Sequence, residues 1–456
     1  MLVAAKCTQC GAALEVNPSQ DAAICKFCDT AFVTEKAMTN YNVAQAQINT
    51  QAVNVYNATS NDFEIHIGKL TKYKGASTEV VIPDTVKIIS GAFAFPGCER
   101  ITSITIPDGV EEIGERSFYN CKSLTSIVLP DSVTKIGAKA FANCHKLREI
   151  VLSNRLTTIM TAAFENCYSL TTVRIPDSVT SLGAAIFSCC FYLTDVIMPN
   201  KIKHINDNTF FSCSKLTNVI LPDTITVIGK GAFAQCENLI SIVIPDSVTI
   251  IGDGAFYHCK KLERVDLPQY RLKIGNKAFT ACASLPSITL PDVTTEIGGQ
   301  AFENCKSLVT VNRSESISVI GEGAFFGCEK LANITLSNQV KVIGAGAFME
   351  CRSLTSITLP ESITKIESKA FSKCSNLISV KLSPQVYAIG SGAFGACIKL
   401  SDITIPNNTA ASQYALSGTA VLSGRLAENL CWKCGGNFKG LFKKQCNICG
   451  YLQPKQ

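Results

Sequence analysis

The sequence has one tryptophan, five methionines and four histidines in 456 residues, and only 17% of its side chains are charged. Each scarcity narrows the function. The histidines, His66, His145, His204 and His258, fall at unrelated places, so spacing supports no Ser/His/Asp or Cys/His catalytic set. No run of about eighteen uncharged apolar residues exists, which argues against a transmembrane helix. There is no glycine loop of the P-loop or dinucleotide kind to cradle a phosphate. The start, MLVAAKCTQC, lacks the basic head, apolar run and cleavage site of a secretory signal, and the chain is therefore expected to be cytoplasmic. A surplus of one charge is also missing: 42 Lys+Arg stand against 36 Asp+Glu, a formal +6, too balanced for a histone-like polycation. With 46% apolar residues, general disorder is excluded as well.

Cysteine is abundant, at 23 residues, and its placement is ordered. Four stand at Cys7, Cys10, Cys25 and Cys28, and four at Cys431, Cys434, Cys446 and Cys449. Fourteen more run from Cys98 to Cys397 at a constant interval of 23 residues, leaving Cys189 over. A fixed period in the twenties marks a solenoid, in which each coil buries its apolar face only by stacking on its neighbours.

The other side chains keep the same step. Three residues after each ladder cysteine comes Leu in thirteen of fourteen repeats, with Ile101 the exception, and six after it always Ile or Val. The eighth residue is apolar except Arg313, and the ninth is Pro in ten repeats. This alternation fits a strand with one buried face, ended by Pro. Sixteen residues on, Gly recurs in ten of thirteen repeats, with Met160, Asn206 and Glu367 as exceptions; a corner of positive φ is the expected cause. Twenty residues on, Phe appears without exception from Phe118 to Phe394, which predicts a stacked aromatic spine. The ladder cysteines read as small buried side chains at a tight corner, reduced in a cytoplasm. The recurrent Pro-Asp pairs at Asp131, Asp177, Asp223 and Asp246 read as turn chemistry, each Asp bonding amides in its own turn; a calcium-binding row is the alternative.

Read whole, C-x2-L-x2-I-x-L-P-x2-V-x2-I-G-x2-A-F-x2-C over residues 76–406 resembles the BspA-like class of leucine-rich repeats. The resemblance implies a curved right-handed solenoid with a parallel sheet on its inner face and short strands or turns outside, used for binding. About fourteen 23-residue repeats are expected, roughly 70 Å long at about 4.8 Å per strand. Residues 62–406 form this unit, with a cap from Phe63 to Ile82 that turns at Lys74-Gly75. Residues 36–61 are an Asn/Gln/Thr-rich linker; beyond Pro406 the period stops, and 407–424 reads as a cap and linker.

Residues 1–35 and 425–456 each carry CxxC…CxxC and resemble small zinc ribbons. Two residues between thiolates let one knuckle present both sulfurs, and two knuckles complete a tetrahedron about Zn²⁺. Two structural zinc ions are expected, held by Cys7, Cys10, Cys25 and Cys28 and by Cys431, Cys434, Cys446 and Cys449. Iron in the same cage and a redox-active CxxC pair are the competing readings. The C-terminal ribbon is basic, +5 over residues 425–456. Trp432 with Lys433, Lys439, Lys443 and Lys444 therefore forms a candidate nucleic-acid site, against the plainer reading of a solvated surface.

The strand positions five and seven residues after each cysteine should face solvent, mostly as Ser, Thr, Asn, Val or Ile. Their charged members, Glu149, Arg174, Asp195, Arg264, Asp266, Lys381 and Asp402, are candidate partner-binding residues on a surface with few large side chains. The reading is a non-enzymatic intracellular scaffold that holds a protein partner along the concave face of the solenoid or through its zinc ribbons, with no membrane span and no small-molecule substrate. Nucleic-acid binding by the basic ribbon and a surface or secreted adhesin of the BspA-like type are the alternatives.

Overall fold

In the computed structural model, residues 62–448 are described apart from 92–93, 96–97, 295, 313–314, 429 and 440–444, together with four short strands before residue 62. Fifteen two-residue strands, from Ile88–Ile89 to Ala410–Ala411, come from the I-G step of successive coils. They pair parallel with a register of one period, as in Glu112↔Lys135 and Ile113↔Ile136. They lie in one seven-stranded and one ten-stranded sheet, separated between Ser181–Leu182 and His204–Ile205. The L-x-x-I-x-L segments form a second set of strands, such as Ser103–Thr105 and Ser287–Thr289, each with its central residue buried and its flanks exposed. These pair only in twos and threes, so the more continuous sheet is the I-G one. There the glycine amide extends the ladder, as Gly137 N donates to Ile113 O at 2.7 Å. On the other side Pro follows the strand and has no amide to give.

The recurrent glycine is required for closeness, not for its φ. Gly137 is outside the left-handed region, but a Cβ there would lie 2.5 Å from both Glu115 N and Gly114 C of the coil beneath. Left-handed residues fall two positions later, at Arg116, Lys139, Gly231 and Gly254, and immediately before the ladder cysteine, at Asn120, Asn143 and Asn166. The expected glycine corner is therefore displaced by two residues. Cys189 occupies the second of these places with φ 60°, which accounts for the cysteine left outside the ladder. Where Asn holds it on three successive coils, the side chains link coil to coil: Asn143 Nδ2 donates to Asn120 Oδ1 at 2.8 Å and Asn166 Nδ2 to Asn143 Oδ1 at 2.7 Å.

Inside the coils the phenylalanines stack from Phe95 to Phe394, with centroid spacings between 4.9 Å (Phe95–Phe118) and 5.8 Å (Phe187–Phe210). The ladder thiols lie beside them and are spent on backbone. Cys144 Sγ donates to Phe118 O at 3.3 Å, and the pattern recurs through Cys397 Sγ to Phe371 O at 3.0 Å. Burial pushes the Cys144 and Cys305 thiols up to about 12, so they stay protonated at neutral pH. One rung departs from the expected reduced ladder: Cys98 and Cys121 are disulfide-bonded, with Cα atoms 4.7 Å apart. Stacking alone brings their backbones within disulfide reach.

Three of the four Pro-Asp carboxylates, those of Asp131, Asp177 and Asp246, bind the next coil, not their own turn. Asp131 Oδ1 accepts from Asn154 N at 2.9 Å, Asp177 Oδ1 from Asn200 N at 3.0 Å and Asp246 Oδ1 from Gln269 N at 2.8 Å. An inter-coil clamp thus accounts for their recurrence.

Both ends of the solenoid are covered. At the N-terminal end Phe63–His66 and Lys69–Tyr73 form a hairpin that reverses at Ile67 and Gly68, where φ is 49° and 71°, and not at Lys74-Gly75. Its Tyr73 ring continues the spine 5.5 Å from Phe95. At the C-terminal end the chain makes one more coil than the period predicts. Ala410–Ala411 pairs with Ala388–Ile389, one residue short of full register, and buried Leu416 stands where the next ring would fall. Helix α1 (Ala420–Ala427) follows, with the Thr419 hydroxyl capping Leu422 N at 3.2 Å. Near the N-terminus Val3–Lys6 pairs antiparallel with Ala13–Val16, and Ala22–Ile24 with Ala31–Val33. Cys7, Cys10, Cys25 and Cys28 lie outside the described residues. Among the described residues no helix is long and apolar enough to cross a membrane.

Candidate binding face and metal centre

Glu149, Arg174, Asp195, Arg264, Lys381 and Asp402 are all exposed on the strand face, and Asp266 is half-buried there. They form a line and not a cluster. Arg264 and Asp266 neutralise one another through two contacts of 2.9 Å, from Nε to Oδ1 and from Nη2 to Oδ2. Asp195 lies across from Thr172, and Arg174 across from Ile197. Asp195 Oδ2 also accepts from the Thr194 hydroxyl at 2.8 Å, which fixes its carboxylate. Among the described residues Arg174 makes no ion pair. Lys381 and Asp402 stand on neighbouring rungs farther along, where Ser379 opposes Asp402.

Large side chains are more frequent here than composition suggests. Ile197, Ile220 and Val243 occupy one position on three successive coils and are 38%, 46% and 53% exposed. Together they make an apolar column flanked by Arg174 and Asp195 on one side and by the Arg264–Asp266 pair on the other. The signal was present in the sequence, since reading down the seventh position gives Arg, Ile, Ile, Val, Asp. At the turn before these strands the rings of His145, Tyr168 and Phe191 stack at 4.4 and 4.9 Å. The histidine is therefore part of a surface ring stack; partial burial, and then Lys122 nearby, lower its pKa.

At the C-terminal end the sulfurs of Cys431, Cys434 and Cys446 lie within 4.8 Å of one another. Cys431 and Cys434 are brought together by a tight knuckle in which Gly435 N donates to Cys431 O at 2.8 Å and Gly435 adopts φ 77°. Cys446 comes from the strand pair Phe438–Lys439 and Gln445–Cys446. Gly436 N points at Cys434 Sγ (3.4 Å) and Ile448 N at Cys446 Sγ (3.5 Å), the amide donors that support metal-bound thiolates. Tetrahedral zinc with bonds of about 2.3 Å sets its sulfurs about 3.8 Å apart, a spacing within the reach of this group. The donor set therefore fits a thiophilic metal. Cys449, the expected fourth ligand, lies outside the described residues.

The basic character of this module is partly turned inward. Lys433 is buried and its Nζ donates to Asn407 O at 2.7 Å. Trp432 is half-buried and packs against the solenoid core. The Arg425 guanidinium donates to Trp432 O (2.7 Å), Lys433 O (3.1 Å) and Ile403 O (2.9 Å). Two of the five residues read as a nucleic-acid site thus face the last coil; Lys439 lies in the strand Phe438–Lys439, and Lys443 and Lys444 fall outside the described residues.

A family model described as a BspA type leucine rich repeat region, present in six copies, matches residues 66–194, 180–309 and 295–422. Among solved structures, a leucine-rich repeat protein from Bacteroides ovatus ATCC 8483 is 29% identical, with a TM-score of 0.63 over 81% of this chain and 91% of that one. A leucine rich cell surface protein from Faecalibacterium prausnitzii A2-165 is 28% identical, with a TM-score of 0.47 over 80% of this chain and 98% of that one. A leucine rich repeat protein of T. pallidum is 29% identical, with a TM-score of 0.33 over 50% of this chain and 91% of that one. No curated protein matches the chain. The period, the two strand sets, the phenylalanine spine and a family match spanning most of the sequence lead to one conclusion: the chain belongs to the BspA type leucine-rich repeat family.

Proposed function

We propose that the protein is a non-enzymatic binding protein that holds an extended segment of a protein partner along its strand face, anchored on Ile197, Ile220 and Val243. The observation that carries this reading is the exposed apolar column between Arg174 and Asp195 at one end and Arg264–Asp266 at the other. Apolar anchors inside a charged rim are the anatomy of a protein contact. Arg174 suits an acidic side chain of the partner, and Asp195 a basic one. The test is affinity purification with the full chain and its Ile220→Asp variant, with Glu296→Gln in the I-G sheet as control. A partner recovered by the wild type and the control but lost with Ile220→Asp supports the face; equal recovery by all three removes it.

The same reading places zinc at Cys431, Cys434, Cys446 and Cys449, and a second ion at Cys7, Cys10, Cys25 and Cys28. Four thiolates leave no position for water or substrate, so both ions are structural. Elemental analysis of the purified chain should give two zinc ions, falling by one in Cys434→Ser; iron or no metal would refute the assignment.

The site of action has two readings. The two thiol-rich CxxC…CxxC sets suit a reducing interior, whereas the Cys98–Cys121 disulfide and membership in the BspA type family support a surface or secreted adhesin. Protease shaving of intact cells separates them, because only a surface protein is cut.

A further inference from the structure

The last coil of a solenoid has one face without a neighbour and must be covered. Here the cover is helix α1 with the first C-terminal knuckle. Val421 N donates to Leu400 O at 2.8 Å, and Val421, Leu422 and Trp432 pack on the core. Two cations then tie the knuckle to the coil. Arg425 joins the carbonyls of Trp432 and Lys433, on the knuckle, to that of Ile403, on the last strand. Lys433, between the ligands Cys431 and Cys434, reaches back to Asn407 O. Both cations are taken substantially out of water, which is costly unless opposite charge lies close. The backbone carbonyls supply dipoles only. A zinc ion held by four thiolates is net anionic, and Arg425 lies beside the knuckle, its Nε 3.4 Å from where a Cβ of Gly435 would stand.

We propose that metal at Cys431, Cys434 and Cys446 locks the C-terminal end of the solenoid, with Arg425 and Lys433 carrying its occupancy to the carbonyls of Ile403 and Asn407. This rests on the zinc reading of the thiol cluster and goes beyond it, because a ribbon could bind zinc and sway free of the coil. Metal binding would then be linked to the order of the last coil and to how much of the strand face it completes.

The experiment is hydrogen exchange of the full chain, stripped of metal under reducing conditions and reloaded with Zn²⁺, with a zinc count on every sample. With free zinc at ten times its Kd, exchange over 400–410 and 420–434 should slow about tenfold, while 227–366 is unchanged. Lys433→Met should bind as much zinc as wild type yet lose most of the slowing over 400–410. Cys434→Ser should lose one zinc and the slowing together. If that variant misfolds, the comparison of wild type with Lys433→Met still decides. Zinc bound without any slowing overturns the coupling and leaves the zinc reading standing. An unchanged zinc count in a folded Cys434→Ser overturns the zinc reading and the coupling with it. Full slowing in Lys433→Met overturns the transmitting role of that lysine.

Discussion

The thiol of Cys259 donates to the carbonyl oxygen of Phe233, 26 residues earlier, at 3.1 Å. The bond ties every ladder cysteine from Cys144 to Cys397 to the backbone of the ring stacked beneath it, and it requires the thiol to keep its proton. Burial enforces this, holding Cys144 and Cys305 near 12 against an ordinary value of 9. Above pH 9 the unfolded chain releases these protons while the folded chain retains them, so stability is complete below pH 9 and falls as pH rises toward 12. The expected loss is about 1.4 kcal/mol per thiol for each pH unit in that window. Urea midpoints at pH 8 and pH 10 check it; equal midpoints would show that the thiols ionise as readily folded as unfolded.

The phenylalanine spine makes a second prediction. Phe256 is fully buried between Phe233 and Phe279, at 5.3 and 5.1 Å. Phe256→Ala removes the ring from both contacts and leaves a cavity in a stack that cannot collapse without shifting whole coils. A loss of about 3–5 kcal/mol is expected in chemical denaturation, with Phe256→Leu losing less. A loss under about 1 kcal/mol would mean that the rings do not hold the coils together.

Glycines in two roles should respond differently. At Gly137 an added Cβ meets backbone at 2.5 Å, whereas at Gly254, with φ 59°, the nearest atom is Tyr257 Cβ at 3.6 Å. Gly137→Ala should cost about 2–3 kcal/mol by forcing coils apart. Gly254→Ala should cost about 1 kcal/mol, eased further by Asn, which tolerates that backbone. Thermal unfolding of the three variants checks the order, and a larger loss at Gly254 than at Gly137 contradicts it.

On the strand face the prediction is a separation of stability from binding. Ile220 is 46% exposed, so Ile220→Asp should move the unfolding midpoint by no more than about 0.5 kcal/mol while abolishing capture of the partner. Lost stability together with lost binding would make the residue part of the core.

Much of this was legible in the sequence because the period is unbroken. Thirteen Phe and fourteen Cys at fixed places can be satisfied together only by stacked coils. The role of the repeated glycine was misread because sequence reports a missing side chain without its reason: left-handed φ and close backbone approach select the same residue. Only the register of Gly137 over Gly114 and Glu115 separates them. The Asp131 bond to Asn154 was hidden similarly, since the turn after Pro explains an Asp without reference to the next coil. The last coil was missed because one deleted residue brings Leu416, and not Phe, to the ring position. Trp432 and Lys433 looked available because composition counts charge and aromatics without showing which way they point, and here both turn toward the solenoid.

The most direct measurement of the central claim, that the ladder seals coil to coil and does no chemistry, is alkylation of the native full-length protein at neutral pH, read by mass spectrometry. Cys144 through Cys397 on the 23-residue ladder should remain unmodified until urea is added, while half-buried Cys189 reacts in the folded state. Rapid native labelling of ladder cysteines such as Cys259 or Cys305 would contradict the account.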